Sequence, residues 1–235
     1  MTAPALLLAL DVPDADAALA LVQRFAGRCA FYKVGLELFT AEGPSIVRAI
    51  HAAGAEVFLD LKLHDIPTTV RQAARRAAGL GVRLLTVHAS GGAAMVAAAV
   101  EGGGDRTGIV AVTVLTSLDA PAVQGAWGRA DAVDVAREVV RLSGIAAGAG
   151  AHGVVCSGAE LPAVVAAHGR RLAPLVPGLR PAGVAADDQA RVVTPAAAAA
   201  AGARYLILGR AVTAAAVPEE AWDAIAASVA GAAAG

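Results

Sequence analysis

Apolar and polar positions follow two alternating rhythms along the chain. Short apolar runs rich in β-formers recur at Leu6 to Leu10, Phe31 to Val34, Glu56 to Leu61, Arg83 to Val87 and Gly108 to Val114, starting at a spacing of roughly 25 residues. Between them lie alanine-rich amphipathic segments, Ala15 to Phe25, Pro44 to Ala53, Val70 to Ala78 and Ala93 to Val100, whose apolar positions repeat at helical spacing. The pattern continues with strands at Gly153 to Cys156, Leu172 to Val176 and Tyr205 to Leu208 and helices at Ala130 to Ala147, Ala159 to Ala167, Pro195 to Ala201 and Glu219 to Ala230. Strand and helix in regular alternation predict an α/β fold of the (β/α)8 TIM-barrel kind, with residues 1–235 forming one domain.

In that architecture the reactive rim lies at the C-terminal ends of the strands. Asp11 ends the first strand, Lys33 lies near the end of the second, Asp60 and Lys62 end the third and His88 the fourth. Thr116 and Ser117 follow the fifth, Pro177 and Gly178 the seventh, Gly209 and Arg210 the eighth. The most unusual stretch is Phe58 to Thr69, where period-2 alternation sends Asp60 and Lys62 to one face and Leu59, Leu61 and Leu63 to the other. Pro67, which suits the first turn of a helix, ends the strand, so Asp65 sits on the short connection close to where Lys62 points.

Composition sharpens the reading of those charges. Of the 19 basic residues 17 are arginine, and the two lysines are Lys33 and Lys62. A sequence that uses arginine wherever a cation has only to be soluble or paired has kept lysine at two rim positions, and lysine differs in being able to give up a proton. A net charge of −1 without basic runs argues against nucleic acid or an anionic membrane surface as partner, and 3% aromatic residues are too few for base-stacking platforms. The uncharged segment Leu142 to Ala159 is interrupted by five glycines and His152 and does not read as a membrane span. Cys29 and Cys156 have neither metal spacing nor a disulfide framework, as expected for buried thiols in a reducing cytoplasm. The five histidines form no metal-binding pair, so no metal is expected.

Two long connections, Ser117 to Arg129 and Pro177 to Gln189, read as functional loops. The second follows strand seven, and Leu208 to Arg210 follows strand eight; together these loops form the usual phosphate site of a (β/α)8 barrel. Gly209 lets backbone N–H groups approach an anion, and Arg210 supplies a charged fork.

With Asp11, Lys33, the Asp-Leu-Lys-Leu-His-Asp-Ile-Pro run from Asp60 to Pro67, Leu115-Thr116-Ser117, Pro177-Gly178-Leu179-Arg180, Gln189 and Gly209-Arg210 in place, the chain resembles orotidine 5′-phosphate decarboxylases along essentially its whole length. Thr68 stands where many members carry asparagine. The resemblance implies decarboxylation of orotidine 5′-monophosphate (OMP) to uridine 5′-monophosphate (UMP), the last step of de novo UMP synthesis, with no metal and no organic cofactor. It also implies a cytoplasmic homodimer with shared active sites. Lys33, Asp60, Lys62 and Asp65 would form an alternating charged network, with Asp65 and Thr69 reaching into the neighbouring subunit's site. Asp11 would bind the ribose hydroxyls, Thr116 and Ser117 the pyrimidine, and Arg180, Gln189, Gly209 and Arg210 the phosphate. The alternatives are a magnesium-dependent sugar-phosphate decarboxylase or aldolase of the same superfamily, whose metal a lysine at position 33 would repel, and a non-catalytic nucleotide-binding barrel, which need not keep either lysine.

Overall fold

The apolar strand residues sort onto two faces. In a computed structural model of the chain, which describes residues 3–180 and 193–234, a small cluster that includes Leu7, Ala9, Phe31, Phe58, Leu84, Val110, Leu175, Tyr205 and Ile207 fills the inside of a barrel. The residues between them, such as Leu8, Leu10, Tyr32, Val34, Val57, Leu59, Leu85 and Leu206, join a second and larger cluster under the surrounding helices. This is the period-2 alternation of strands covered on both faces.

Among the described residues eight parallel strands close the barrel in sequence order: β1 (Ala5–Leu10), β2 (Phe31–Val34), β3 (Glu56–Leu63), β4 (Leu84–His88), β5 (Gly108–Val112), β6 (Gly153–Val155), β7 (Ala173–Val176) and β8 (Tyr205–Leu208). Closure is made by β1 on β8, with Ala5 opposite Tyr205 and Leu8 opposite Leu208. The helices begin where the sequence supplies caps. Asp14, Asp134 and Thr194 each accept the N–H three residues on, and Pro44 and Pro67 occupy first turns, where a missing N–H costs nothing.

Several boundaries differ from the sequence reading. Leu36–Glu42 is a helix that the pattern does not announce, because it is short and begins at Gly35 without a side-chain cap. The connection expected as an open loop at Ser117 to Arg129 contains a helix, Ala120–Ala126, capped by Asp119. The helix expected from Ala130 starts instead at Val135, after its Asp134 cap. A one-turn helix, Arg210–Thr213, follows β8.

The helices after β3 and β4, Pro67–Gly79 and Gly92–Gly103, pack closely against each other. A Cβ at Gly102 would collide with the Arg71 carbonyl oxygen, so the missing side chain sets how near the two backbones come. The two helices lead out of β3, which carries Asp60 and Lys62, and β4, which carries Thr86 and His88.

Candidate active site

The alternation that holds along most of the barrel fails at the end of β3. Leu59 pairs with Leu85 but Leu63 pairs with Val87, so β3 spends four steps where β4 spends two. The bulge is centred on Lys62, the one non-glycine residue with positive φ among the described residues, at 50°. A lysine in that region costs on the order of 1–3 kcal/mol and persists only where its surroundings hold it. Strict alternation, expected from the sequence for Leu59, Leu61 and Leu63, therefore stops short: Leu59 is buried, while Leu61 and Leu63 are only half covered.

What the bulge achieves is a chain of alternating charges. Lys62 Nζ donates to Asp60 Oδ2 at 2.9 Å. The same oxygen stands 3.7 Å from Lys33 Nζ, and Lys33 Nζ donates to Asp11 Oδ1 at 2.8 Å. The middle of this chain is withdrawn from water, with the side chains of Lys33 and Asp60 only 10% and 11% exposed, whereas Lys62 at 33% and Asp11 at 63% reach open space. Each buried charge thus has an opposite neighbour, the condition under which burial is tolerated. Gly35 makes room for the pair at the β2 end: a Cβ there would stand 3.0 Å from Lys33 Nζ and 3.3 Å from Asp11 Oδ1.

Beneath the charges lies Thr86 on β4, completely buried, whose hydroxyl accepts the Lys62 backbone N–H at 2.8 Å and donates to Asp60 Oδ1 at 2.9 Å. Sequence reasoning passed over it, because a threonine in a β-branched strand reads as ordinary strand filling. The available signal was its inward register beside Asp60. His88, one inward step further up β4, lies with its ring 5.5 Å from that of His64. Burial first, then the neighbouring His64 and Lys62, depress its pKa below the ordinary histidine value.

These charges form one wall of a cavity of about 360 Å³, within the usual ~300–1,000 Å³ range of small-molecule sites. Its floor is apolar, from Phe58, Val112, Val155, Leu175 and Ile207, and the segments that follow β7 and β8 bring Pro177, Gly178, Arg180, Gly209 and Arg210 to its lining. Leu115 and Thr116 also line it. Among the described residues, a Cβ added at Gly209, which lines the cavity, would have only the Ala9 Cβ within 4 Å, at 3.9 Å. Arg180 is buried, its Nη1 donating to the Leu179 carbonyl at 3.0 Å and its backbone N–H to the Val193 carbonyl. The cavity thus combines arginines from the segments after β7 and β8, lysines on β2 and β3, and an apolar floor.

Most sequence-selected residues converge here: Asp11, Lys33, Asp60, Lys62, Thr116, Arg180, Gly209 and Arg210 all touch the cavity. Three do not. Ser117 is exposed on the loop beyond Thr116. Asp65 is exposed, with its Oδ1 accepting the N–H of Ile66 at 2.6 Å, and no ion pair joins it to Lys62 among the described residues. Within one chain, then, Lys62 lines the cavity and pairs with Asp60, whereas Asp65 is exposed and does not line it. Thr69 is likewise exposed, on the helix that follows. Gln189, with Asp187 and Asp188, lies outside the described residues.

Residues 4–225 match the family described as "Orotidine 5'-phosphate decarboxylase / HUMPS family". The chain is 54% identical over 221 residues to the orotidine 5'-phosphate decarboxylase of Anaeromyxobacter sp. (strain K), covering 94% of this chain and 96% of that one. It is 50% identical over 233 residues to that of Halorhodospira halophila, covering 97% of each. Among solved structures, orotidine 5'-phosphate decarboxylase from Lactobacillus acidophilus superposes with a TM-score of 0.81 at 30% identity, over 97% of this chain and 99% of the other. The barrel, the lysine-bearing cavity and these likenesses over nearly the full length lead to one conclusion, that the chain belongs to the orotidine 5'-phosphate decarboxylase/HUMPS family.

Proposed function

We propose that the chain, acting as a single catalytic domain, decarboxylates OMP to UMP and so completes UMP synthesis. The observation that carries the reading is the alternating series Asp11, Lys33, Asp60 and Lys62 in the lining of an apolar-floored cavity that Arg180 and Arg210 also line. The substrate is an anion at both ends, a phosphate and a carboxylate joined through ribose and pyrimidine. Arg180, Gly209 and Arg210 are suited to the phosphate, Asp11 to the ribose hydroxyls, and Thr116 to the pyrimidine edge over the apolar floor.

The bond between C6 and the carboxylate breaks with its electron pair left on C6, and carbon dioxide departs. No carbonyl is placed to delocalise that carbanion by simple resonance, so a nearby cation must stabilise it and a proton must quench it. The Lys62 ammonium does both, giving its proton to C6 and regaining one from solvent after product leaves. Asp60, 2.9 Å away, fixes the ammonium in place. One charge pair at ~4 Å contributes about 4 kcal/mol at an effective dielectric of 20, while enzymic acceleration commonly spans about 8–23 kcal/mol. No single contact is large enough, and the remote phosphate and ribose contacts supply binding energy that is used at C6.

Lys33 argues against the magnesium-dependent chemistry of other superfamily members. Its ammonium lies between Asp11 and Asp60, the carboxylates a divalent cation would need, and would repel that cation.

The working unit in this reading is a cytoplasmic homodimer in which Asp65 and Thr69 complete the partner's site. Support comes from their exposure outside their own cavity and from the neighbouring Ile66, a large apolar side chain left 66% exposed. No helix among the described residues is long and apolar enough to cross a membrane.

The test is turnover of OMP by the purified chain, followed by the absorbance change from orotate to uracil, with and without a chelator. Formation of UMP and carbon dioxide at an unchanged rate in EDTA is expected. Absence of UMP, or activity lost in EDTA and restored by magnesium, overturns the proposal.

A further inference from the structure

We infer that Thr86 is a positioning residue for this reaction, a buried hydroxyl that fixes both the Asp60 carboxylate and the backbone that presents Lys62. The inference rests on the decarboxylase reading above and adds a residue that never meets the substrate: Thr86 is fully buried and is not part of the cavity wall.

Three observations carry it. The bulge in β3 takes the Lys62 N–H out of the strand ladder, leaving a partly buried donor that needs an acceptor. The Thr86 hydroxyl accepts it at 2.8 Å. The same hydroxyl donates to Asp60 Oδ1 at 2.9 Å, which ties up that oxygen and leaves Oδ2 facing Lys62 at 2.9 Å and Lys33 at 3.7 Å. Thr86 thereby selects which carboxylate oxygen meets the two ammonium groups, while holding the positive-φ turn that aims one of them. Packing alone does not call for a hydroxyl here, since Leu84 and Val110 fill the barrel interior nearby with hydrocarbon. A hydroxyl is the small group able to donate and accept at once.

Thr86→Val keeps the branched shape and removes both hydrogen bonds, Thr86→Ala removes them and the shape, and Thr86→Ser keeps the hydroxyl. Each variant is first shown to be folded by circular dichroism and to bind UMP, then assayed with OMP. The Val and Ala variants should lose about tenfold to a hundredfold in kcat, the effect of leaving a charged acceptor and a partly buried N–H without their partner. KM and UMP affinity should stay within about threefold of wild type, because the phosphate and ribose contacts are untouched. The Ser variant should stay within about threefold of wild type in kcat, since the hydroxyl alone restores both bonds.

Should the Val variant fail to fold, the contrast between Ser and Ala decides the same question. A Val or Ala variant with wild-type kcat overturns the inference, as does a Ser variant no better than Ala, or a loss carried by KM. Those outcomes leave the decarboxylase reading standing when the wild-type chain turns over OMP. A wild-type chain that leaves OMP intact instead refutes that reading, and this inference falls with it.

Discussion

Lys62 combines three costs that a structural lysine would avoid: a positive φ, partial burial and confinement to one hydrogen-bonded rotamer against Asp60. A salt bridge alone does not explain them, because exposed or half-exposed pairs stabilise by only about 0–1 kcal/mol. The costs make sense if the amine must deliver a proton to one place. Lys62→Arg should therefore be nearly as damaging to kcat as Lys62→Ala, since arginine keeps the charge but neither gives up a proton nor fits the short span to Asp60. Rates of purified variants free of wild-type contamination decide this, and substantial turnover by the Arg variant would show that charge alone suffices. At this scale much of the site was legible beforehand. Two lysines in a chain of arginines marked the chemistry, and the inward period of each strand marked the rim. Thr86 and Gly35 escaped because their roles depend on distances across strands, 2.8 Å to a backbone N–H in one case and room for an ammonium in the other. No one-dimensional pattern holds that information.

Among the elements, the strands were the most readable and the connections the least. Two-sided burial writes each strand as a dense apolar run, so β2 and β8 agree with expectation to the residue. Ala120–Ala126 and Leu36–Glu42 are single short helices over which an apolar period hardly repeats, so pattern alone does not separate them from loop. The bulge at the end of β3 is hidden for a related reason: Leu61 and Leu63 continue the alternation in sequence after the ladder has abandoned it. Elements also set the response to acid. His88 ends β4, and His152 sits just before β6 with its Nε2 2.9 Å from the Tyr205 hydroxyl. Burial, the first cause in both, and then His64 and Lys62 for His88 and Arg83 and Arg204 for His152, hold their pKa values below the ordinary 6.5. As pH falls through 6.5 the unfolded chain takes up these protons before the folded one, so stability declines with acidification until the lowered folded values are passed. Glu138, whose pKa is lowered chiefly by the Arg141 hydrogen bond, and Glu219, lowered by Arg24, act in a separate window below 4.5. Melting temperature should therefore drop between pH 7.5 and 5.5, by about 2–4 °C for each kcal/mol lost. A His88→Gln, His152→Gln double variant should show a smaller drop, and an equal one would exclude these histidines as the cause.

The whole molecule raises a question of stoichiometry. The cavity of one chain holds Lys33, Asp60 and Lys62, while Asp65 and Thr69 are exposed and do not line it, and Ile66 next to Asp65 is exposed as well. If a two-fold interface brings Asp65 of each chain to the Lys62 of its mate, then Lys62→Ala and Asp65→Ala homodimers should both be crippled, every site lacking one charge. Dissociating and mixing the two variants makes hybrids in which one site lacks both residues and the other is intact, with Lys62 from one chain and Asp65 from its partner. Random isologous pairing makes half the dimers hybrid, and each hybrid has one working site of two, so activity should recover to about a quarter of wild type. Native mass spectrometry distinguishes the hybrids from the parent dimers. Hybrids present without recovered activity would place Asp65 in the service of its own chain, where it is exposed and does not line the cavity that holds Lys62, and would refute the shared-site arrangement.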